Sequence, residues 1–251
     1  MAKQRGIIKI EGTVGDITFL KTRDGYLVKE KTSIPAQRIA TDAAFQRTRE
    51  NMSEFGRAGK AGKVLRKAIR GLLQNAKDSR VTSRLTKEMM KVIQADATSL
   101  RGRRNVVDGE AEILQGFDCN INAKLGTALF AEYTATINRT AGTLAINIPA
   151  FTPADKIVAP AGTTHFRIST LGAEIDFENE VTVTDMQESA VLPLNNTPTA
   201  VLNLNNAVTA ASTHPLFLLL GVQFFQEVNG VQYPLKNGAF NALNIVKVEG
   251  V

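Results

Sequence analysis

The chain has 251 residues, enough for one large domain or two small ones, either able to bury a proper core. Its 43% hydrophobic and 22% charged content is ordinary for a folded soluble protein. The net charge of +6 hides an asymmetry: residues 1–104 carry 24 basic and 10 acidic side chains, residues 105–251 only 6 basic and 14 acidic. The halves therefore stand at +14 and −8. Such a split points to a polyanion-binding or self-associating protein, or to two surfaces that attract one another within the molecule. The lone Cys119 excludes an intramolecular disulfide and a cysteine-cluster metal site. The longest apolar run, Leu216 to Phe225, is too short to span a bilayer, so no membrane insertion is expected. Ile7-Ile8 is followed at once by Lys9 and Glu11, which leaves no apolar core for a signal peptide. Synthesis and folding in the cytoplasm are expected.

In chain order, residues 6–31 alternate as a β-hairpin. Asp16 to Thr22 and Tyr26 to Lys31 flank Arg23-Asp-Gly25, in which Asp24 and Gly25 both tolerate positive φ. A two-stranded hairpin is hardly stable alone, so it is expected to lie on the rest of the molecule or to add its edge to a neighbouring subunit. After Pro35 the period changes to that of a helix. Thr41 or Asp42 can cap a segment through Phe45, Arg49, Met52 and Phe55. Gly56, Gly59 and Gly62 follow at every third position, and each costs about 1 kcal/mol relative to Ala. They either break the helix or let another backbone approach. Val64, Leu65, Ala68, Ile69, Leu72 and Leu73 make an apolar stripe, and a third helix is expected from near Thr82 to Ala97. From Val106 onward short alternating runs are punctuated by Gly, Thr, Asn and Pro. They are Thr134–Asn138, Thr143–Ile148, Thr164–Thr170, Ala173–Val183, Ala200–Leu204, Pro215–Val228, Gln232–Leu235 and Leu243–Val248. Turns are readable at Arg139-Thr-Ala-Gly142 and at Asn229-Gly230. Many short strands at this spacing argue for an antiparallel sandwich or barrel. The expected fold is α+β in three parts: a hairpin arm over 1–35, a basic two- or three-helix unit over 36–104, and an antiparallel β-sandwich over 105–251.

Function is carried by charge more than by any motif. Residues 36–104 hold 17 basic and 6 acidic side chains. Gly56-Arg-Ala-Gly-Lys-Ala-Gly-Lys63 only superficially resembles a phosphate loop, which needs a glycine five residues before its Gly-Lys pair and Ser or Thr after it. Arg57 and Val64 stand at those places for Gly62-Lys63, and Glu54 and Ala61 for Gly59-Lys60, so the match fails. Arg57, Lys60, Lys63, Arg66, Lys67 and Arg70 could instead neutralise phosphates without reading sequence, with Arg101, Arg103 and Arg104 as a second cluster. The plain alternative is a solvated helix face, or one docked on acidic protein. Aromatics are confined to Phe45 and Phe55 here, too few for a base-stacking platform. In the other half Glu174, Asp176, Glu178 and Glu180 alternate, so an extended stretch would project all four from one face. They would seek a divalent ion through oxygen ligands, or the basic segment of the same or the next subunit; the second is preferred, with plain solvent exposure as the close alternative. His165 and His214 lie far apart with no ligand spacing around them, and Cys119 reads as a small half-buried residue. No catalytic set, metal or cofactor is called for.

The stretch Gly12-Thr-Val-Gly-Asp-Ile-Thr-Phe19, with Asp24-Gly25-Tyr26, Lys29-Glu-Lys31, Phe45-Gln-Arg-Thr-Arg-Glu-Asn51 and Ser53-Glu-Phe-Gly56, resembles an uncharacterised family of bacterial proteins. In that family a glycine-punctuated N-terminal hairpin precedes helices and a β-rich part. The resemblance covers the first third of the chain and implies organisation, not an activity. The expectation is a non-enzymatic structural protein whose partner is itself, assembling into a phage-like particle, tube or filament (a capsid or tail component). The alternatives are a sequence-nonspecific nucleic-acid-binding protein, or a ligand-binding sandwich module with its site in loops such as Ala159–Thr163 or Leu192–Thr199.

Overall fold

The computed structural model describes residues 1–31, 34–235 and 240–251, and these divide once, into the units Met1–Arg49 and Glu50–Val251. The sequence places boundaries near residues 35 and 104 instead. The difference has a physical cause: the apolar stripe of the helices after residue 50 shares its core with the β-rich part, so the two cannot separate.

In the first unit β1 (Ala2–Lys3), β2 (Gly12–Val14), β3 (Ile17–Thr22) and β4 (Gly25–Glu30) form an antiparallel sheet in the order β1-β4-β3-β2. The expected hairpin is its centre, with Thr22 paired to Gly25 across Arg23-Asp24. Register sets Val14, Ile17, Phe19 and Val28 on one face. Yet none of the described residues of Met1–Arg49 is buried. This is a single layer without an interior. Helix α1 (Ala36–Thr41) and a 3-10 turn at Ala43–Phe45 complete the unit. Asp42 caps the turn by accepting the Ala44 amide at 2.9 Å.

The unit boundary falls inside α2 (Gln46–Ala68), which runs unbroken through all three glycines. Gly56 and Gly59 face open space, while Gly62 sits against Leu85, 3.7 Å from where its Cβ would be. Ile69 leaves helical geometry and a short α3 (Arg70–Leu73) continues the stripe; α4 follows at Val81–Gln94. Two four-residue helices, α5 (Leu125–Ala128) and α6 (Pro153–Lys156), lie among the strands. The strands are β5 (Thr134–Asn138), β6 (Thr143–Ile148), β7 (His165–Asp176), β8 (Val181–Glu188), β9 (Leu192–Pro193), β10 (Leu202–Ala207), β11 (Leu216–Val228), β12 (Val231–Pro234) and β13 (Ala242–Glu249). Every pairing is antiparallel. A three-stranded sheet runs β10-β6-β5, and a six-stranded one has β11 between β7 and the pair β12/β13, with β8 and β9 beyond β7.

Strands β7 and β11 pair over ten residues and are covered on both faces. Side-chain alternation divides their residues between two cores. Leu171, Ala173, Ile175, Phe217 and Leu219 share one cluster with Leu65, Leu85 and Met89 of the helices. Phe166, Ile168, Leu218, Leu220 and Phe224 share the other with Leu144, Ile146 and Ile148 of β6. The near-continuous apolar run Leu216–Phe225 is thus a strand with no solvent face. Two turns close the ladders where the sequence marks them. Asn229 and Gly230 both take positive φ between β11 and β12. Gly142 (φ +67) joins β5 to β6, and a Cβ there would lie 2.5 Å from the Val208 carbonyl, so no other residue fits.

Buried charges tie the loops to these layers. Glu54 accepts the Gly102 amide and Arg104 Nε, each at 2.8 Å. Asp78 accepts the Arg80 and Ile121 amides and the Arg84 guanidinium. Asp96 collects four donors, from Thr98 N and Oγ1, Ser99 N and Asn105 N. Arg139, at the β5–β6 turn, donates to the Ser212 and His214 carbonyls and to Glu249. Burial alone would raise these carboxyls, but the donors outweigh it, and Glu54, Asp78 and Asp96 are all held below the usual carboxylate range.

Two outcomes are expected. Leu65 is fully buried between α2 and the sheet, and Leu65→Ala should lower unfolding stability by about 2–5 kcal/mol in urea titrations. Carboxyls lowered on folding stabilise above their unfolded pKa of about 4 and lose that contribution as pH falls through the folded value. The urea midpoint should therefore drop steadily below about pH 5. Asp96→Asn, whose amide would meet one of the four donors, should be less stable at pH 7 and lose less on acidification.

Candidate polyanion and self-association surfaces

The nine candidate phosphate-binding cations, from Arg57 to Arg104, part company in the structure. Arg57 Nη1 donates to the Gly102 and Arg104 carbonyls at 2.8 and 3.0 Å. Arg104 is fixed on Glu54, and Arg101 donates to Asn51 Oδ1 at 2.8 Å while lying 3.6 Å from Glu50. These three pin the 101–104 loop against α2. Arg66 is half-buried; burial lowers its pKa, and its Nη1 lies inside without a hydrogen-bond partner. Lys60, Lys63, Lys67 and Arg70 remain exposed along one stripe of α2 and the start of α3, and Arg103 is exposed on the loop.

The acidic alternation does not form the expected single face. β7 ends at Asp176, and Phe177 to Glu180 form a turn, with Glu180 at φ +58. The cause is local: Asp176 accepts the Glu178 and Asn179 amides at 2.9 and 3.0 Å and Asn179 Nδ2 at 2.7 Å, an Asx-type closure. These bonds, from Asn179 first, hold the Asp176 carboxyl below its ordinary range. Glu174 points into the molecule, because β7 is covered on both faces; it accepts Thr209 N at 3.1 Å and Ser212 Oγ at 2.7 Å. Burial pushes the Glu174 carboxyl up, and the Ser212 and Thr209 bonds more than reverse it. Glu178 and Glu180 are exposed on the turn. Glu180 meets Lys60 at 2.9 Å, and that bond, the Lys60 charge and the nearby Lys63 and Lys67 charges lower its pKa. One carboxylate of the four thus lies against the basic stripe. The Asp176-x-x-Asn179 spacing was the available signal for the turn.

The turn opens a strand that the sequence reading merged into its neighbour. β8 pairs with β7 alone at the end of the large sheet and leaves Val181, Val183 and Met186 exposed. Beside it Glu174, Asp176, Asn179, Val181, Val183 and His214 line a cleft of about 270 Å³. A second cleft of about 370 Å³ lies between α4 and residues 113–124. Its Arg84 is already engaged by Asp78 and by the Asp118 and Cys119 carbonyls, with its guanidinium 5.0 Å from the Phe117 ring centre.

Ser212 Oγ donates a hydrogen bond to Glu174 Oε1, whereas His214 Nε2 lies 3.9 Å from Asp176 Oδ2, so this hydroxyl and this imidazole are engaged separately. His165 differs: its Nδ1 hydrogen-bonds Thr164 Oγ1 at 2.9 Å and its Nε2 lies 3.5 Å from Glu227. Among the described residues no group of three His, Cys, Asp or Glu is placed to hold a metal ion, and no helix is long and apolar enough to cross a membrane. Cys119 is fully buried rather than half-buried, and burial pushes its thiol up to about 12. Iodoacetamide at pH 8 should therefore leave the native protein unmodified and alkylate it fully in denaturant, as read by mass spectrometry. Compared with protein-family models, with curated proteins and with solved structures, the chain matches none, so the resemblance to the bacterial family rests on its N-terminal motifs.

Proposed function

We propose that the chain is a non-enzymatic structural protein that self-assembles, as a capsid or tail component of a phage-like particle. One observation carries the reading: Met1–Arg49 is a four-stranded layer whose apolar face has no interior of its own. Such a layer is stabilised by what covers it. In this reading the β-rich part acts as a sandwich that forms the particle wall, and the arm joins one copy to the next. Opposite charge on the two halves favours head-to-tail contact between unlike surfaces over contact between like ones. Light scattering after size exclusion, with electron microscopy, tests it. The expected result is a species well above the 27.2 kDa of one chain that grows with concentration; a single monomeric species over a hundredfold concentration range would overturn it.

The second reading, sequence-independent nucleic-acid binding, is favoured by the exposed stripe Lys63, Lys67 and Arg70. Replacing these three with Glu should abolish retention on DNA and lower the salt slope of binding by about 3. Arg57→Glu and Arg104→Glu should instead cost stability, because both side chains hold the 101–104 loop.

A further inference from the structure

Two surfaces of complementary character lie uncovered, one in each unit. Residues 6–11, between β1 and β2, belong to no strand, and Ile7 and Ile8 stand at 103% and 82% exposure with Ile10 at 46%. A β-branched Ile7-Ile8-Lys9-Ile10 run favours the extended conformation and is costly to leave in water. Arg5 and Lys9 give it positive charge. The run bends at residues 6–8, and Lys9 Nζ rests on the Gln4 and Gly6 carbonyls. The Gln4 side chain bonds the Ile10 amide and carbonyl, and an added strand would exchange these bonds for its own.

The other surface is the free side of β8. Ser189 N bonds the Ile168 carbonyl, and in this register the odd-numbered residues of β8 exchange bonds with β7. Thr182 and Thr184 then aim their backbone groups outward. The strand Val-Thr-Val-Thr-Asp-Met-Gln-Glu carries none of the lysines or prolines that usually blunt an edge. Its C-terminal half is braced where Asn206 Nδ2 and Ala207 N bond Asp185. Val181–Thr184 is the open half, next to the carboxylates of Asp176 and Glu178.

We propose that residues Arg5–Ile10 of one copy add as a further strand to the Val181–Thr184 edge of a second copy. This rests on the self-assembly reading and names its joint. Main-chain bonds supply the pairing, Ile8 and Ile10 cover Val181 and Val183 on one face, and Arg5 and Lys9 answer the acidic turn. Charge selects this occupant. Met1–Arg49 carries 10 basic and 5 acidic side chains, whereas two β8 edges pairing with each other would set Asp185 and Glu188 of one copy near the acidic turn of the other.

Cysteine pairing between separately substituted copies tests it, since the buried Cys119 adds no accessible thiol. Chains with Ile8→Cys are mixed with chains carrying Val183→Cys, which lies on the face that Ile8 covers, and oxidised. The expected product is the mixed disulfide, with a yield that falls about fivefold when the first copy also carries Arg5→Glu and Lys9→Glu. That yield should recover when the second copy carries Glu178→Lys. If assemblies form but Val183→Cys captures no more than a Thr140→Cys control in the β5–β6 turn, the joint is wrong while self-assembly stands. If the unsubstituted chain never associates, both fall.

Discussion

The pairing of β7 with β11 is the constraint from which the larger unit follows. Both strands are buried on both faces through their centres, so each face is covered by a separate layer, and alternation assigns every residue to one layer or the other. The helices cover one face through Leu65, Leu85 and Met89, and the three-stranded sheet covers the other through Leu144, Ile146 and Ile148. Removing either layer would expose half of the buried run Leu216–Phe225. For this reason the basic helices and the β-rich part form one unit.

That dependence changes the meaning of the net charge. A count of arginines and lysines suggests a surface waiting for an anion, but several of the cations close to the core are structural. Arg57, Arg84, Arg104 and Arg139 spend their donors on carbonyls and buried carboxylates. Arginine suits the task because its fork reaches several acceptors at once. Three of the six lysines in residues 36–104, Lys60, Lys63 and Lys67, fall on the outer stripe of α2, where Lys60 meets Glu180. The positive portion is thus part internal fastening and part open surface.

Much of the secondary structure was legible. Thr134–Asn138 and Thr143–Ile148 are strands at the residues where alternation places them, and Asn229-Gly230 turns as its chemistry requires. The α2 stripe was visible in its spacing, although continuity through Gly56 and Gly59 was not, because helix propensity says nothing of the packing that holds residues on either side. The β7–β8 turn was missed because period-2 alternation continues through Glu178 and Glu180 while the local Asx closure at Asp176 overrides it. The partners of Arg104 and Arg139 lie 50 and 110 residues away in sequence, and no local pattern announces a contact that only the packed layers create.

The N-terminal layer has one more consequence. A sheet without an interior draws little folding free energy from its own chain, so in the proposed assembly the balance between its ordered and loose forms would follow mass action. The ribbon would be weakly held at low copy number, and each docking event would both order it and remove exposed isoleucine from water. Joining and folding would then be one cooperative step, with a threshold concentration set by the arm instead of by the stable body that carries it.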